Sequence, residues 1–201
     1  MAILVLMRHG QSIWNQENRL TGSVDVPLTE KGRGEAVSAA LQCPGLQFDI
    51  AYASPLSRAR DTAALFLEKL GQFVPLITEP LLIEKSYGIL QGLNKDRVKA
   101  KYGPEAYNLM HRSYDVAPPG GESLRELGLR VQPFVRQVIG EDLRLKKNVL
   151  LVAHGNVIRS LVMMIEKLSP AEIVKVEVGT AEPLVYYLDE NFRVEKKGLS
   201  A

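Results

Sequence analysis

Two histidines stand where an apolar run stops. Arg8-His9-Gly10-Gln11-Ser12 follows the run Ala2–Met7, and His154-Gly155-Asn156 follows Val149–Ala153. The chain has 3 histidines, and two of them occupy this position. A histidine at a strand end can act as a nucleophile when one ring nitrogen is unprotonated and open while the other is tied to a backbone carbonyl. A neighbouring cation such as Arg8 lowers the imidazole pKa and binds an anionic substrate. A single His-Gly pair is usually a satisfied loop or core histidine. Two such pairs at two strand ends, one beside an arginine, make that explanation poor. Ligands of open α/β sheets collect outside the carboxyl ends of the strands, so both imidazoles could face one pocket.

Arg58 and Arg60 fall in the first turns of a helix expected to open at Ser54-Pro55, just after a second strand. Phosphate favours helix N-termini, and arginine binds it through paired hydrogen bonds. One of the two arginines is expected in the pocket and the other on the surface. Two histidines and two arginines, without an acidic metal-binding triad or a Walker-type glycine loop, suit a phosphoryl group better than a metal.

The elements that must carry these residues alternate between strand-like and helix-like runs. Strands are expected at Ile3–Met7, Phe48–Ala53, Val74–Thr78, Val149–Ala153 and Leu184–Leu188. Helices are expected from Ser54-Pro55 to Gly71, over Glu122–Ile139 with a kink at Pro133, over Asn156–Lys167, from Ser169-Pro170, and over Thr29–Leu41. This alternation predicts a three-layer α/β/α domain over residues 1–201, with a mostly parallel central sheet. Between Pro80 and Gly121 strand periodicity disappears and glycines and prolines punctuate short helical pieces. Long irregular segments inside compact domains tend to be functional, so 80–121 reads as a small helical cap or lid. Its tyrosines and leucines weigh against a disordered linker.

A charge of +2 gives no bulk electrostatic case for nucleic acid or an acidic membrane surface. The basic stretch Lys95–Lys101 reads mostly as a solvated helix face. The single cysteine, Cys43, reads as a structural residue near a helix end, and Trp14 as packing. No run reaches the roughly 18 apolar residues of a membrane span, and the start lacks the features of a secretory signal. These readings predict a soluble cytoplasmic protein.

Six stretches carry a resemblance along nearly the whole chain. They are Arg8–Asn15, Thr21-Gly22, Leu56–Ala59, Tyr87–Lys95, Arg112–Val116 and Ala153–Asn156. The chain resembles the histidine phosphatase superfamily and, within it, the cofactor-dependent phosphoglycerate mutases. That resemblance implies that His9 accepts the phosphoryl group, with Arg8, Arg58 and His154 around it. It implies that Glu84 is the general acid and base, and that Asn15 and the Asn156 backbone add donors. Thr21, Gly22, Tyr87, Lys95 and Arg112 would hold the carboxylate and second phosphate of a glycerate, with His111 and Gly155 beside them. The residues alone are less telling: Glu84 reads as a loop acid, Lys95 as a surface lysine and Tyr87 as packing.

The implied cofactor is 2,3-bisphosphoglycerate as phosphoryl primer, with no metal. The implied partners are small-molecule phosphoglycerates, with a homo-oligomer left open. The implied reaction interconverts 3-phosphoglycerate and 2-phosphoglycerate behind a lid formed by 80–121 and the basic tail Lys196-Lys197-Gly198. The other readings are a phosphomonoesterase using the same phosphohistidine and, more remotely, a non-catalytic module that binds phosphorylated ligands. Five positions depart from the family pattern: Gln11 for a glutamate, Ser23 for a tryptophan, Ile83 for an asparagine, Lys85 for an arginine, and His111 for the first of two arginines.

Overall fold

A strand that is apolar at every position has to be covered on both faces. Two runs meet that description. In the computed structural model, which describes residues 1–189 and 193–198, they are β1 (Ala2–Arg8) and β4 (Val149–Ala153), side by side and parallel. With β2 (Ile50–Ala53), β3 (Leu76–Thr78), β5 (Pro183–Leu188) and β6 (Val194–Lys197) they form a sheet in the order β3-β2-β4-β1-β5-β6. The strands from β3 to β1 are parallel, and β5 and β6 are antiparallel to their neighbours.

Alternate residues of the central strands point to opposite faces. Leu4, Leu6, Val149 and Leu151 pack with Leu124, Leu127 and Val131 of α6 (Leu124–Phe134) and with Val157 and Leu161 of α8 (Gly155–Glu166). Val5, Met7, Leu150 and Val152 pack on the other face with Ala39 and Ala40 of α2 (Glu30–Leu41) and with Ala59, Ala63 and Phe66 of α3 (Ser57–Lys69). The result is the expected three-layer α/β/α arrangement around a mostly parallel sheet.

The strand register sets up the site. Arg8 opposes Ala153, and Ala53 opposes Val152. The His9 N–H donates to the Ala153 carbonyl at 2.9 Å and the Ser54 N–H to the Val152 carbonyl at 3.1 Å. Arg8, His9, Ser54 and His154 therefore leave the sheet side by side at its carboxyl edge.

Short elements complete the chain: α1 (Ile13–Gln16), α7 (Gly140–Arg144), α9 (Pro170–Ile173), and, between β3 and α6, α4 (Lys95–Tyr102) and α5 (Pro104–Arg112). Single 3-10 turns occupy Pro80–Leu82 and Gly88–Leu90. Leu20, Tyr87, Leu90, Val98 and Tyr107 make a third, smaller core, which is the packing surface that the aromatic residues of 80–121 required.

Four expectations are corrected. The helix expected from Ser54-Pro55 begins at Ser57, with Leu56 as its N-cap; the Ser54 hydroxyl accepts from the Leu56 N–H at 3.4 Å and is bonded to the His154 Nε2 at 2.8 Å. The strands expected from Phe48 and Val74 begin at Ile50 and Leu76. The helix expected to end at Ile139 continues to Arg144, with a π turn at Val135–Ile139 directly after Pro133. Pro133 has no N–H to give the Leu129 carbonyl, and a shift in helical register follows it. The tail is also not a lid. Lys196 and Lys197 lie in edge strand β6, where Lys197 pairs with Glu166 at 2.6 Å, and neither lines the pocket described below.

The two early glycines of α2 differ in purpose. A Cβ at Gly32 would collide with the Gln11 backbone, and one at Gly10 would collide with the Gly32 carbonyl, so the loop after β1 rests directly on the helix. A Cβ at Gly34 meets nothing. Gly32→Ala is expected to destabilise the protein by about 1–3 kcal/mol, whereas Gly34→Ala should stabilise it by about 0.5–1 kcal/mol. Denaturant unfolding of the two variants measures both; equal effects would refute the contact.

Candidate functional site

The loop after β1 places His9 with only 4% of its surface exposed. Its Nδ1 lies 2.6 Å from the Gly10 carbonyl oxygen, an acceptor, so Nδ1 carries the proton. Its Nε2 accepts from the Arg58 Nε at 3.2 Å. The imidazole is thus a neutral tautomer with its lone pair on Nε2. Burial, reinforced by Arg58 and Arg8, holds its pKa well below the usual histidine range.

Arg58, in the first turn of α3, is fully buried. Its guanidinium also donates to the Val24 carbonyl at 2.7 Å and the Gly22 carbonyl at 2.9 Å. Burial lowers its pKa to about 10, so it remains charged. Arg60 instead points outward and pairs with Asp61. Arg8 donates to the Val178 carbonyl at 2.9 Å.

His154, at the end of β4, lies behind the pocket wall in edge-on contact with His9, the ring centroids 5.1 Å apart. Burial, followed by Arg58 and His9, holds this imidazole neutral as well. The first turn of α8 follows it. There the Asn156 N–H donates to the Glu84 Oε2 at 3.1 Å, while the Lys85 N–H holds the Oε1 at 2.9 Å. Asn156 Nδ2 donates to the Tyr87 hydroxyl at 3.2 Å.

These groups open onto a cavity of about 160 Å³. Its lining includes Arg8, His9, Arg58, Glu84, Gly155 and Asn156, together with Asn15, Thr21, Gly22, Tyr87, Lys95, His111 and Arg112. Every candidate residue except His154 therefore lines it. The Asn15 carbonyl oxygen caps α1 by accepting from Ser12, which leaves its NH₂ end available to the cavity. His111 stacks between Tyr87 and Tyr107, at centroid distances of 5.8 and 5.1 Å. Burial, then Lys95, Arg112 and other cations, lowers its pKa to about 3. At neutral pH it is uncharged and brings no cationic contact in place of an arginine.

Four buried polar side-chain atoms among the described residues lack a partner: Arg8 Nε, Thr21 Oγ1, His154 Nδ1 and Arg159 Nε. All four belong to this pocket or its wall. Native interiors rarely leave such atoms unpaired without a functional reason. Guanidinium, ammonium, amide and hydroxyl donors together fit a small ligand with more than one anionic group.

Several contributors escaped the sequence reading. Ser54 orients His154, and Arg19, Arg159 and Glu177 line the cavity. Arg159 lies one helical turn beyond Asn156 and donates to its Oδ1 at 3.1 Å, so the spacing of three from a site residue was a usable signal. Nothing local marked Glu177. Lys85 is buried with its ammonium 5.0 Å from the Tyr87 ring, and burial lowers its pKa to about 8.

The model of the histidine phosphatase superfamily (branch 1) matches residues 4–196. The 2,3-bisphosphoglycerate-dependent phosphoglycerate mutase of Brucella melitensis biotype 1 is 47% identical over 197 residues, 96% of either chain. That of Brucella ovis is 46% identical with the same coverage. Among solved structures, a mycobacterial glucosyl-3-phosphoglycerate phosphatase in complex with VO3 superposes with a TM-score of 0.85 at 30% identity over the whole of both chains. Bacillus stearothermophilus YhfR gives 0.86 at 25% identity, over 100% of this chain and 98% of that one.

The neutral histidines have a consequence for stability. Unfolded histidines titrate near about pH 6.5. Below that pH the unfolded chain takes up protons that the folded chain refuses, so stability falls with pH by up to about 1.4 kcal/mol per pH unit for each histidine. For His111 the loss continues to about pH 3. The Tm is expected to drop between pH 7.5 and 5, and less steeply in His111→Gln. Equal slopes for the two proteins would show that His111 is not held neutral by the fold.

Proposed function

Because the chain belongs to the histidine phosphatase superfamily (branch 1), we propose that it interconverts 3-phosphoglycerate and 2-phosphoglycerate through a phosphohistidine on His9, a glycolytic and gluconeogenic reaction. The observation that carries the phosphohistidine chemistry is the 2.6 Å contact between His9 Nδ1 and the Gly10 carbonyl. It commits the ring proton to the backbone, so Nε2, once an arriving phosphoryl oxygen takes over the Arg58 Nε–H, attacks phosphorus without first losing a proton. The names of the Brucella relatives support the choice of substrate.

The donor set and the unpartnered buried atoms fit 2,3-bisphosphoglycerate, held by Arg8, Arg58, Lys95 and Arg112. When bound, it supplies the phosphoryl group that first loads His9. Arg8 and Arg58 stabilise charge on the equatorial oxygens of the transferring group. His154, its Nε2 occupied by Ser54, packs edge-on against His9 from behind the cavity wall and holds that ring in place. Glu84, fixed by two backbone donors, moves the proton to and from the substrate hydroxyl. Asn15, Gly155 and the Asn156 backbone add inner contacts. Thr21, Gly22, Tyr87, Lys95, His111 and Arg112 hold the distal end. The 80–121 segment acts as a cap that keeps water from the phosphohistidine while the substrate reorients.

One observation favours a second reading, a phosphomonoesterase with the same nucleophile: His111 is neutral, which lowers the positive charge available to retain a glycerate. Formation of 2-phosphoglycerate from 3-phosphoglycerate, with and without 2,3-bisphosphoglycerate, with EDTA present and with released phosphate assayed in parallel, separates the two. Primer-dependent isomerisation that survives the chelator and releases little phosphate supports the mutase. Phosphate release without isomerisation makes the protein a phosphatase.

His9→Ala is expected to abolish turnover and phosphoprotein together. Glu84→Gln should lower kcat by roughly 10²–10⁴-fold. Arg112→Ala should raise KM for the glycerates and shift the balance toward hydrolysis; if it changes neither, the distal anchor lies elsewhere.

A further inference from the structure

Cations dominate the pocket, and among the described residues two carboxylates reach it, Glu84 and Glu177. Glu84 is held by backbone N–H groups. Glu177 is held by a pocket cation: Arg112 Nη2 meets its two oxygens at 2.7 and 2.9 Å. A guanidinium placed to seat a ligand's anionic group is therefore already bonded to a carboxylate.

The backbone on both sides of Glu177 is pinned by the pocket itself. Arg159 Nη2 donates to the Ile173 carbonyl at 2.8 Å, and Arg8 Nη1 donates to the Val178 carbonyl at 2.9 Å. The Ala181 N–H returns to the Arg8 carbonyl at 2.9 Å. The loop between α9 and β5 is thus fixed across the pocket mouth. The Glu177 side chain is 75% exposed, against 35% for Arg112, so it can rotate into water without moving that loop.

We propose that Glu177 is a specificity gate, a built-in carboxylate that occupies Arg112 until a ligand's second anionic group displaces it. The proposal rests on the reading above only in seating that second group at Arg112. A phosphorylated ligand ending in a carboxylate or phosphate exchanges one ion pair for another and ejects Glu177. A ligand of the same size with a neutral end leaves the pair in place and gains nothing from Arg112. Exposed ion pairs are weak, so the gate tunes affinity without blocking entry.

Calorimetric titration without 2,3-bisphosphoglycerate tests the gate under conditions that need no turnover. Glu177→Gln is expected to tighten binding of 3-phosphoglycerate by about two- to fivefold. Glycerol 3-phosphate, which lacks the carboxylate, should respond less. In an Arg112→Gln background the same Glu177→Gln change should leave the Kd for 3-phosphoglycerate where it was. Unchanged or weaker binding of 3-phosphoglycerate by the single variant overturns the proposal. So does an equal gain for glycerol 3-phosphate, or a gain that persists without Arg112, since either would be a general field effect. Failure of the mutase reading would appear separately, as absent isomerisation with these titrations intact.

Discussion

The site depends on keeping neutral imidazoles in the middle of buried positive charge. A buried cation without hydrogen bonds is too costly to keep. The chain meets that constraint with backbone carbonyls more than with acids. Arg58 takes those of Gly22 and Val24, Arg8 that of Val178, and Arg159 that of Ile173. Each bond pairs part of a guanidinium and also fixes a loop around the pocket. Because few carboxylates neutralise these cations, their field stays directed into the cavity. Burial first, and then this field, lowers the pKa of His9 and His154, and the field favours an incoming anion.

The same device positions the proposed acid and base. Arg130 of α6 donates to the Leu81 carbonyl at 2.6 Å and the Ile83 carbonyl at 2.9 Å, and pairs with Glu122 at 2.9 Å. Those carbonyls belong to the segment that delivers Glu84. The carboxylate then meets the first turn of α8, where free backbone N–H groups and the helix dipole favour negative charge. A helix packed on one face of the sheet thus sets the height of Glu84, and the strand order sets the position of His9 opposite it. Group transfer tolerates little error in such spacing, which explains why the groups sit on rigid elements.

The cap and the loop after β1 are built on contact instead of charge. Gly10 and Gly32 let two backbones touch, and Gly22 adopts a φ of 56°, where a side chain would run into Gln91. The Tyr87–His111–Tyr107 stack joins α5 to the smaller core, so His111 serves packing. Burial keeps it neutral, and Arg112 beside it is the guanidinium that Glu177 engages.

Sequence alone determined the features that are local. The runs Ala2–Met7 and Val149–Ala153 are apolar at every position, and this required buried central strands with histidines at their ends. The helices expected over Thr29–Leu41 and from Ser169-Pro170 open at those places, where Thr29 and Ser169 serve as N-caps, a feature decided within one turn. Arg58 was legible by position as one of two arginines near a helix start and through family resemblance as the one at the site, and the packing of α3 buries it while Arg60 faces outward. Glu84, Tyr87 and Lys95 were legible through family resemblance, not through any pattern of their own. Ser54, Arg159, Glu177 and strand β6 were decided by tertiary structure. Ser54 meets a histidine 100 residues away, Arg112 meets Glu177 across 65 residues, and Arg8 meets Val178 across 170. Hydrophobic periodicity and capping are written into neighbouring residues, so a sequence displays them. The pairing of a buried charge depends on which groups the fold brings within about 3 Å, and no local pattern records that.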